Sequence, residues 1–111
     1  MKGFDKMWIN IRQNKKCKRH IKEIDYLNIN FNEYIIIDVR SKREYRENHL
    51  NGSINIPLPE IKKYIENYVQ NKQKKILLYC EYGIRSKQAA KILEDMGYIQ
   101  VYNLKGGLEN I

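Results

Sequence analysis

The chain has 111 residues, a formal net charge of +8 and two cysteines, Cys17 and Cys80. That length supports one domain with a core of about five strands and excludes two domains. Two cysteines exclude a disulfide framework, and no stretch is apolar enough to span a membrane. Lys, Asn, Ile and Tyr are all frequent, so the basic balance is not taken as a nucleic-acid signal; it suits anionic substrates or acidic partner proteins.

Residues 1–19 read as a basic N-terminal arm, and residues 20–111 as the folded domain. In the arm Met7, Trp8, Ile9 and Ile11 form a small apolar cluster, and Gln13 to His20 is strongly basic. It lacks an apolar signal-peptide core and a small-residue cleavage site. A free thiol then points to a reducing, cytoplasmic setting. Cys17 and His20 are spaced like a pair of metal ligands, but zinc needs about four ligands, and only Cys80 and His49 remain among the cysteines and histidines. Neither a metal nor a cofactor is expected.

Regular structure begins at Ile21. Ile21 to Ile24 predicts a short strand, and Asp25 to Ile29 a brief helical segment. Tyr34 to Val39 is a largely β-branched run, as in a strand buried on both faces. Ser41 with Glu44 three residues on is a capping-box pattern for a short helix through Glu47. Asn51-Gly52 signals a turn, and Ser53 to Ile56 a strand stopped by Pro57 and Pro59. From Glu60 to Gln70, Ile61, Tyr64, Ile65, Tyr68 and Val69 carry helical spacing. Ile76 to Tyr79 is a second buried strand. Ser86 to Met96 is a helix with Ala89, Ile92, Leu93 and Met96 on one face and Gly97 closing it. Gln100 to Asn103 is the last strand, and Gly106-Gly107 a tight loop. Strands alternating with helices predict an α/β fold with a parallel sheet covered on both sides.

The chemistry concentrates between Tyr79 and Ser86. Cys80 ends a strand, and Gly83, Arg85 and Ser86 lead into a helix. Ligands of such sheets bind beyond the carboxyl ends of the strands. There backbone N–H groups and a helix N-terminus converge on an anion. Gly83 lets the backbone curl, Arg85 adds a planar cation suited to oxyanions, and Ser86 is placed to cap the helix. A cysteine so surrounded is a nucleophile in its thiolate form. The loop offers no His or Asp as general acid for a phosphate leaving group. Sulfur transfer needs none: a thiolate attacks the outer sulfur of thiosulfate, sulfite leaves, and a second thiolate removes the bound sulfur.

These residues resemble the rhodanese, or sulfurtransferase, family in its small single-domain form. The resemblance rests on Ile37-Asp38-Val39-Arg40 with Glu44-Tyr45, on His49 to Pro57, on the loop Tyr79 to Ser86, on Gly97-Tyr98 with Val101 to Leu104, and on Leu104-Lys105-Gly106-Gly107. It runs from about Ile21 to about Leu108. It implies a three-layer domain with a five-stranded parallel sheet and helices on both faces. It also implies a persulfide on Cys80, cradled by Glu81, Tyr82, Gly83, Ile84 and Arg85. Asp38, Arg40 and His49 would support the pocket, with Arg40 paired to Glu44 and His49 in a packing role. The Cys80–Arg85 spacing is C-x4-R, one residue shorter than in the phosphatases and arsenate reductases that resemble the family, which favours a single sulfur over a tetrahedral oxyanion. The family commonly places an aromatic after its terminal glycines. That aromatic falls a few residues on, where this chain reads Leu108-Glu109-Asn110-Ile111, and Trp8 of the arm is a candidate to fill the space. Glu81 puts a negative charge beside the nucleophile, offsetting Arg85.

The function expected is sulfane-sulfur transfer from thiosulfate or a persulfide donor to a thiol or cyanide, with a protein as possible donor or acceptor. The alternatives are a persulfide-binding module that docks on a partner with little turnover, and a phosphatase or arsenate reductase.

Overall fold

In the computed structural model, which describes residues 21–111, five strands lie side by side and every neighbouring pair is parallel. They are β1 (Lys22–Ile24), β2 (Ile35–Asp38), β3 (Ile54–Asn55), β4 (Lys75–Tyr79) and β5 (Gln100–Leu104), in the order β1-β5-β4-β2-β3. The helices are α1 (Lys42–Glu47), α2 (Ile61–Tyr68) and α3 (Ile84–Asp95). This is the expected three-layer α/β architecture. The arm of residues 1–19, with Trp8, Cys17 and the basic run ending at His20, lies outside the described residues.

Period-two alternation divides the core. Ile37, Val39, Ile76, Leu78, Cys80 and Val101 face α2 and α3, where Ile61, Ile65, Ala89, Ala90 and Leu93 close the layer. Ile36, Leu77, Tyr79 and Leu104 face the other side, packed by Tyr26, Ile29, Phe31, Leu50 and Leu108. There 3₁₀ turns at Tyr26–Asn28 and Phe31–Glu33 and the connecting segments supply the cover. Strand β4 is paired on both edges, with β5 and β2, so the residue at its carboxyl end is held from both sides.

The short α1 exists because its ends are satisfied locally. The Ser41 hydroxyl accepts from the Glu44 N–H, and the Glu44 carboxylate accepts from the Ser41 N–H, the predicted capping box. Helix α2 stops two residues short of the predicted Gln70. Val69 turns extended, buries its side chain and accepts from the Tyr98 hydroxyl through its carbonyl. At the end of α3, Gly97 adopts φ +100; its N–H reaches the Glu94 carbonyl and the Tyr98 N–H reaches the Leu93 carbonyl, closing the helix as a Schellman motif. Among the described residues no helix is long and apolar enough to cross a membrane.

Candidate active site

Strand β4 delivers Cys80 at its carboxyl end, 1% exposed. The chain then reverses over Glu81, Tyr82 and Gly83 and enters α3. Gly83 makes the reversal possible: its φ of +99 is left-handed, and it is the N-cap of the helix. The helix therefore begins two residues earlier than predicted, and Ser86 is not its cap. Ser86 sits in the first turn, fully buried. Its N–H points at the Cys80 sulfur at 3.3 Å, and the Gly83 N–H points at the same atom at 3.1 Å. The Cys80 Sγ also lies 3.4 Å from the Ser86 hydroxyl, as donor.

Of the expected cradle of Glu81, Tyr82, Gly83, Ile84 and Arg85, Gly83 is the member whose N–H meets the Cys80 sulfur among the described residues. Among the described residues, the hydrogen bonds to the sulfur come from Gly83 and Ser86. Tyr82 and Ile84 are 64% and 70% exposed, an apolar rim around the loop. Arg85 is committed elsewhere, its Nη1 and Nη2 meeting the two Glu44 oxygens at 2.7 and 3.0 Å. The Arg85 guanidinium, helped by the Ser41 contacts and opposed by partial burial, pulls the Glu44 carboxyl down to about 2. The same hydrogen bonds, set against burial, raise Arg85.

Arg40 does not pair with Glu44, the one pairing that the structure contradicts. Its side chain is 2% exposed and turns back on Asp38, with Nη2 at 2.8 Å and Nε at 3.1 Å from both carboxylate oxygens. The Asp38 Oδ1 accepts from the Arg40 N–H as well, which bends β2 into a local loop that brings the two together. Arg40 then reaches Glu81 at 3.2 Å and the Asn48 carbonyl at 2.5 Å. Burial works against its charge, but the hydrogen bonds and charge of Asp38, with Tyr79 and Glu81, outweigh it and raise the guanidinium. Glu81 is thus matched to Arg40 rather than offsetting Arg85.

His49 is exposed, stacked on Tyr45 at 3.7 Å, with Nδ1 2.7 Å from the Tyr45 carbonyl oxygen. That is the packing role expected of it. Below it the fully buried Tyr79 phenol accepts from the Leu50 N–H at 3.0 Å and shares a hydrogen bond with Ser53; burial pushes it up to about 12.

Residues that were given no site role in the sequence also bear on the loop. Asn103, on β5 and fully buried, accepts from the Ser86 hydroxyl and donates to Glu23 at 3.2 Å. An asparagine inside the strand run Val101 to Leu104 was the available signal, since strands are poor in asparagine. The terminal turn clamps the loop: the Leu108 N–H donates to the Cys80 carbonyl and the Glu109 N–H to the Glu81 carbonyl, both at 2.9 Å. Leu108 itself packs against the second apolar cluster. A cleft of about 330 Å³ lined by Tyr26, Phe31, Asn32, Leu50 and Asn51 includes no residue of the Cys80 loop.

Comparison with known proteins agrees with this arrangement. The family model described as rhodanese-like domain matches residues 13–111. The thiosulfate sulfurtransferase PspE of Escherichia coli (strain K12) is 45% identical over 75 residues, covering 68% of this chain and 71% of that protein. The thiosulfate sulfurtransferase GlpE of Coxiella burnetii is 34% identical over 77 residues, covering 69% and 70%. A solved structure described as a rhodanese with anions from E. coli superposes with a TM-score of 0.66 at 44% identity, covering 70% of this chain and 91% of that one. With a family model spanning the whole described domain and relatives that share most of its length, the chain belongs to the rhodanese-like family.

Proposed function

We propose that the protein is a sulfurtransferase that carries sulfane sulfur as a persulfide on Cys80. The observation that carries this reading is the buried Cys80 sulfur at the end of β4, with the N–H groups of Gly83 and Ser86 aimed at it from 3.1 and 3.3 Å. Donors fixed in that geometry act on negative charge at the sulfur without reorganisation. The relatives named as thiosulfate sulfurtransferases support the same chemistry.

In the proposed cycle the Cys80 thiolate attacks the outer sulfur of thiosulfate. The bond between that sulfur and the sulfonate sulfur breaks, and sulfite leaves with the electron pair. Cys80 is left as a persulfide anion, held by the two loop N–H groups. Cyanide or a thiolate then attacks the terminal sulfur, the persulfide S–S bond breaks, and the Cys80 thiolate returns. In every step the electron pair of the broken S–S bond leaves on sulfur, as sulfite or as the Cys80 thiolate, so no acid is required for the leaving group. A loop whose N–H groups converge on the sulfur itself is better matched to this than to a phosphate.

The test is thiocyanate formation from thiosulfate and cyanide. Turnover is expected in the parent and a fall to background in Cys80→Ser, with no Cys80-dependent hydrolysis of an aryl phosphate in either. Equal turnover in Cys80→Ser would overturn the reading. A second reading, transfer with a protein donor or acceptor, is favoured by the pairing of both site arginines with carboxylates and by the exposed Tyr82 and Ile84. It predicts slow turnover with thiosulfate and faster turnover with a persulfidated protein.

A further inference from the structure

The buried sulfur is connected to the surface by one chain of side chains. It runs from Cys80 Sγ to the Ser86 hydroxyl at 3.4 Å, to the Asn103 side-chain oxygen, and from the Asn103 amide nitrogen to Glu23 at 3.2 Å; Lys87 meets the same Glu23 oxygen at 3.3 Å. Glu23 stands opposite Asn103 in the β1–β5 register. The sulfur-transfer cycle makes no use of Asn103 or Glu23.

The Ser86 hydroxyl has a single hydrogen to give. Two of its neighbours, the Gly83 carbonyl oxygen and the Asn103 Oδ1, can only accept. A neutral Cys80 thiol fits this arrangement, because its S–H donates to the Ser86 oxygen. A thiolate or persulfide does not fit it. The Ser86 lone pair then faces an anion, and the hydroxyl can turn to the sulfur only by leaving a fully buried Asn103 oxygen without a donor. The other arrangement is for the Asn103 amide to turn over, present its NH2 to Ser86 and free the Ser86 hydrogen for the sulfur. Glu23 opposes that turn, since the Asn103 oxygen would then face a carboxylate.

We propose that Glu23 is a positioning residue for the sulfur: by fixing the orientation of the Asn103 amide, it decides whether the Ser86 hydroxyl can donate to the Cys80 sulfur. Its consequence for turnover rests on the sulfurtransferase reading, but the device itself concerns only the sulfur's proton. The charged groups around the sulfur are Arg85 from α3, paired with Glu44 of α1, and the Asp38–Arg40–Glu81 set from the end of β2 and the loop. Among the described residues, the charged group paired with Glu23 is Lys87 of α3.

The test is the pH profile of Cys80 alkylation by iodoacetamide, a neutral reagent, in a Cys17→Ser background. Glu23→Gln can donate to the turned Asn103 oxygen, so its profile is expected about half a unit to one unit lower in pH, about three- to tenfold faster on the acid limb. Loss of a nearby negative charge acts in the same direction, and two further arms separate the effects. The shift is expected to persist in 0.5 M KCl, where exposed charges are screened within about 4 Å, and to vanish when Asn103→Ala is already present. Superimposable profiles, a shift lost in salt, or a shift that survives in Asn103→Ala would each overturn the proposal. Failure of the sulfurtransferase reading would appear in thiocyanate formation and leave these alkylation profiles untouched.

Discussion

Arg40→Ala is expected to lower the free energy of unfolding by about 3–5 kcal/mol, the range for removing one partner of a buried ion pair. Asp38 is fully buried and Arg40 is 2% exposed. Without the guanidinium, the Asp38 carboxylate keeps only the Arg40 N–H of the contacts described above, and the Asn48 carbonyl and Glu81 lose a donor as well. The penalty is mainly an uncompensated buried charge, so Arg40→Lys should recover only part of it. A lysine ammonium cannot span Asp38, Asn48 and Glu81 with a planar fork. Urea denaturation checks this: the midpoint should fall with an unchanged slope. A midpoint within experimental scatter of the parent would show that the pair contributes nothing to the fold.

Gly107→Ala is the second large effect, and it acts on the site. A Cβ built at Gly107 would lie 2.4 Å from the Cys80 carbonyl oxygen and 2.5 Å from that of Glu81, both backbone atoms that cannot swing aside. The residue also holds φ +67, ψ −160, a region essentially confined to glycine, at a cost of about 1–3 kcal/mol for another residue. The loop carrying Cys80 must move for the methyl group to fit. Displacement of reacting atoms by about 1 Å can cost about a hundredfold in rate. Turnover should therefore fall at least about tenfold, with a loss of stability of about 2–3 kcal/mol. Gly52→Ala is the control. Gly52 also has positive φ, at +84, but a Cβ there meets nothing within 4 Å, so it should lose some stability and keep its rate. Equal turnover in Gly107→Ala and parent would mean that the terminal turn does not hold the loop.

The layers, and the placing of Cys80 at the carboxyl end of a central strand, were legible in the sequence because local patterns decide them. The β-branched run at Ile35 to Ile37 and the apolar run at Ile76 to Tyr79 have one stable place, the middle of a parallel sheet. The Ser41/Glu44 pair needs no tertiary help to start a helix. Positions where distant groups compete were not legible. Val69 fits the helical spacing of α2 but leaves the helix, because the core and the Tyr98 hydroxyl both claim it. Ser86 looks like a cap by composition. The left-handed Gly83 takes that position instead, and Ser86 turns its N–H to the sulfur. Arg40 lies four residues from Glu44 in the chain and Arg85 lies 41, so sequence spacing points to Arg40. Burial chooses otherwise: Arg40 is drawn inside to Asp38, and Arg85, at the partly exposed start of α3, is left for Glu44. Asn103 and Glu23 belong to separate strands 80 positions apart in the chain, joined only by the β1–β5 pairing.

The central claim, that Cys80 carries sulfane sulfur, is tested most directly by intact mass spectrometry after incubation with thiosulfate, with Cys80→Ser measured alongside. The expected result is a gain of one sulfur atom on the parent alone, removed by cyanide or by a thiol. The same gain on Cys80→Ser, or no gain on the parent with either thiosulfate or a persulfidated protein as donor, would contradict the account.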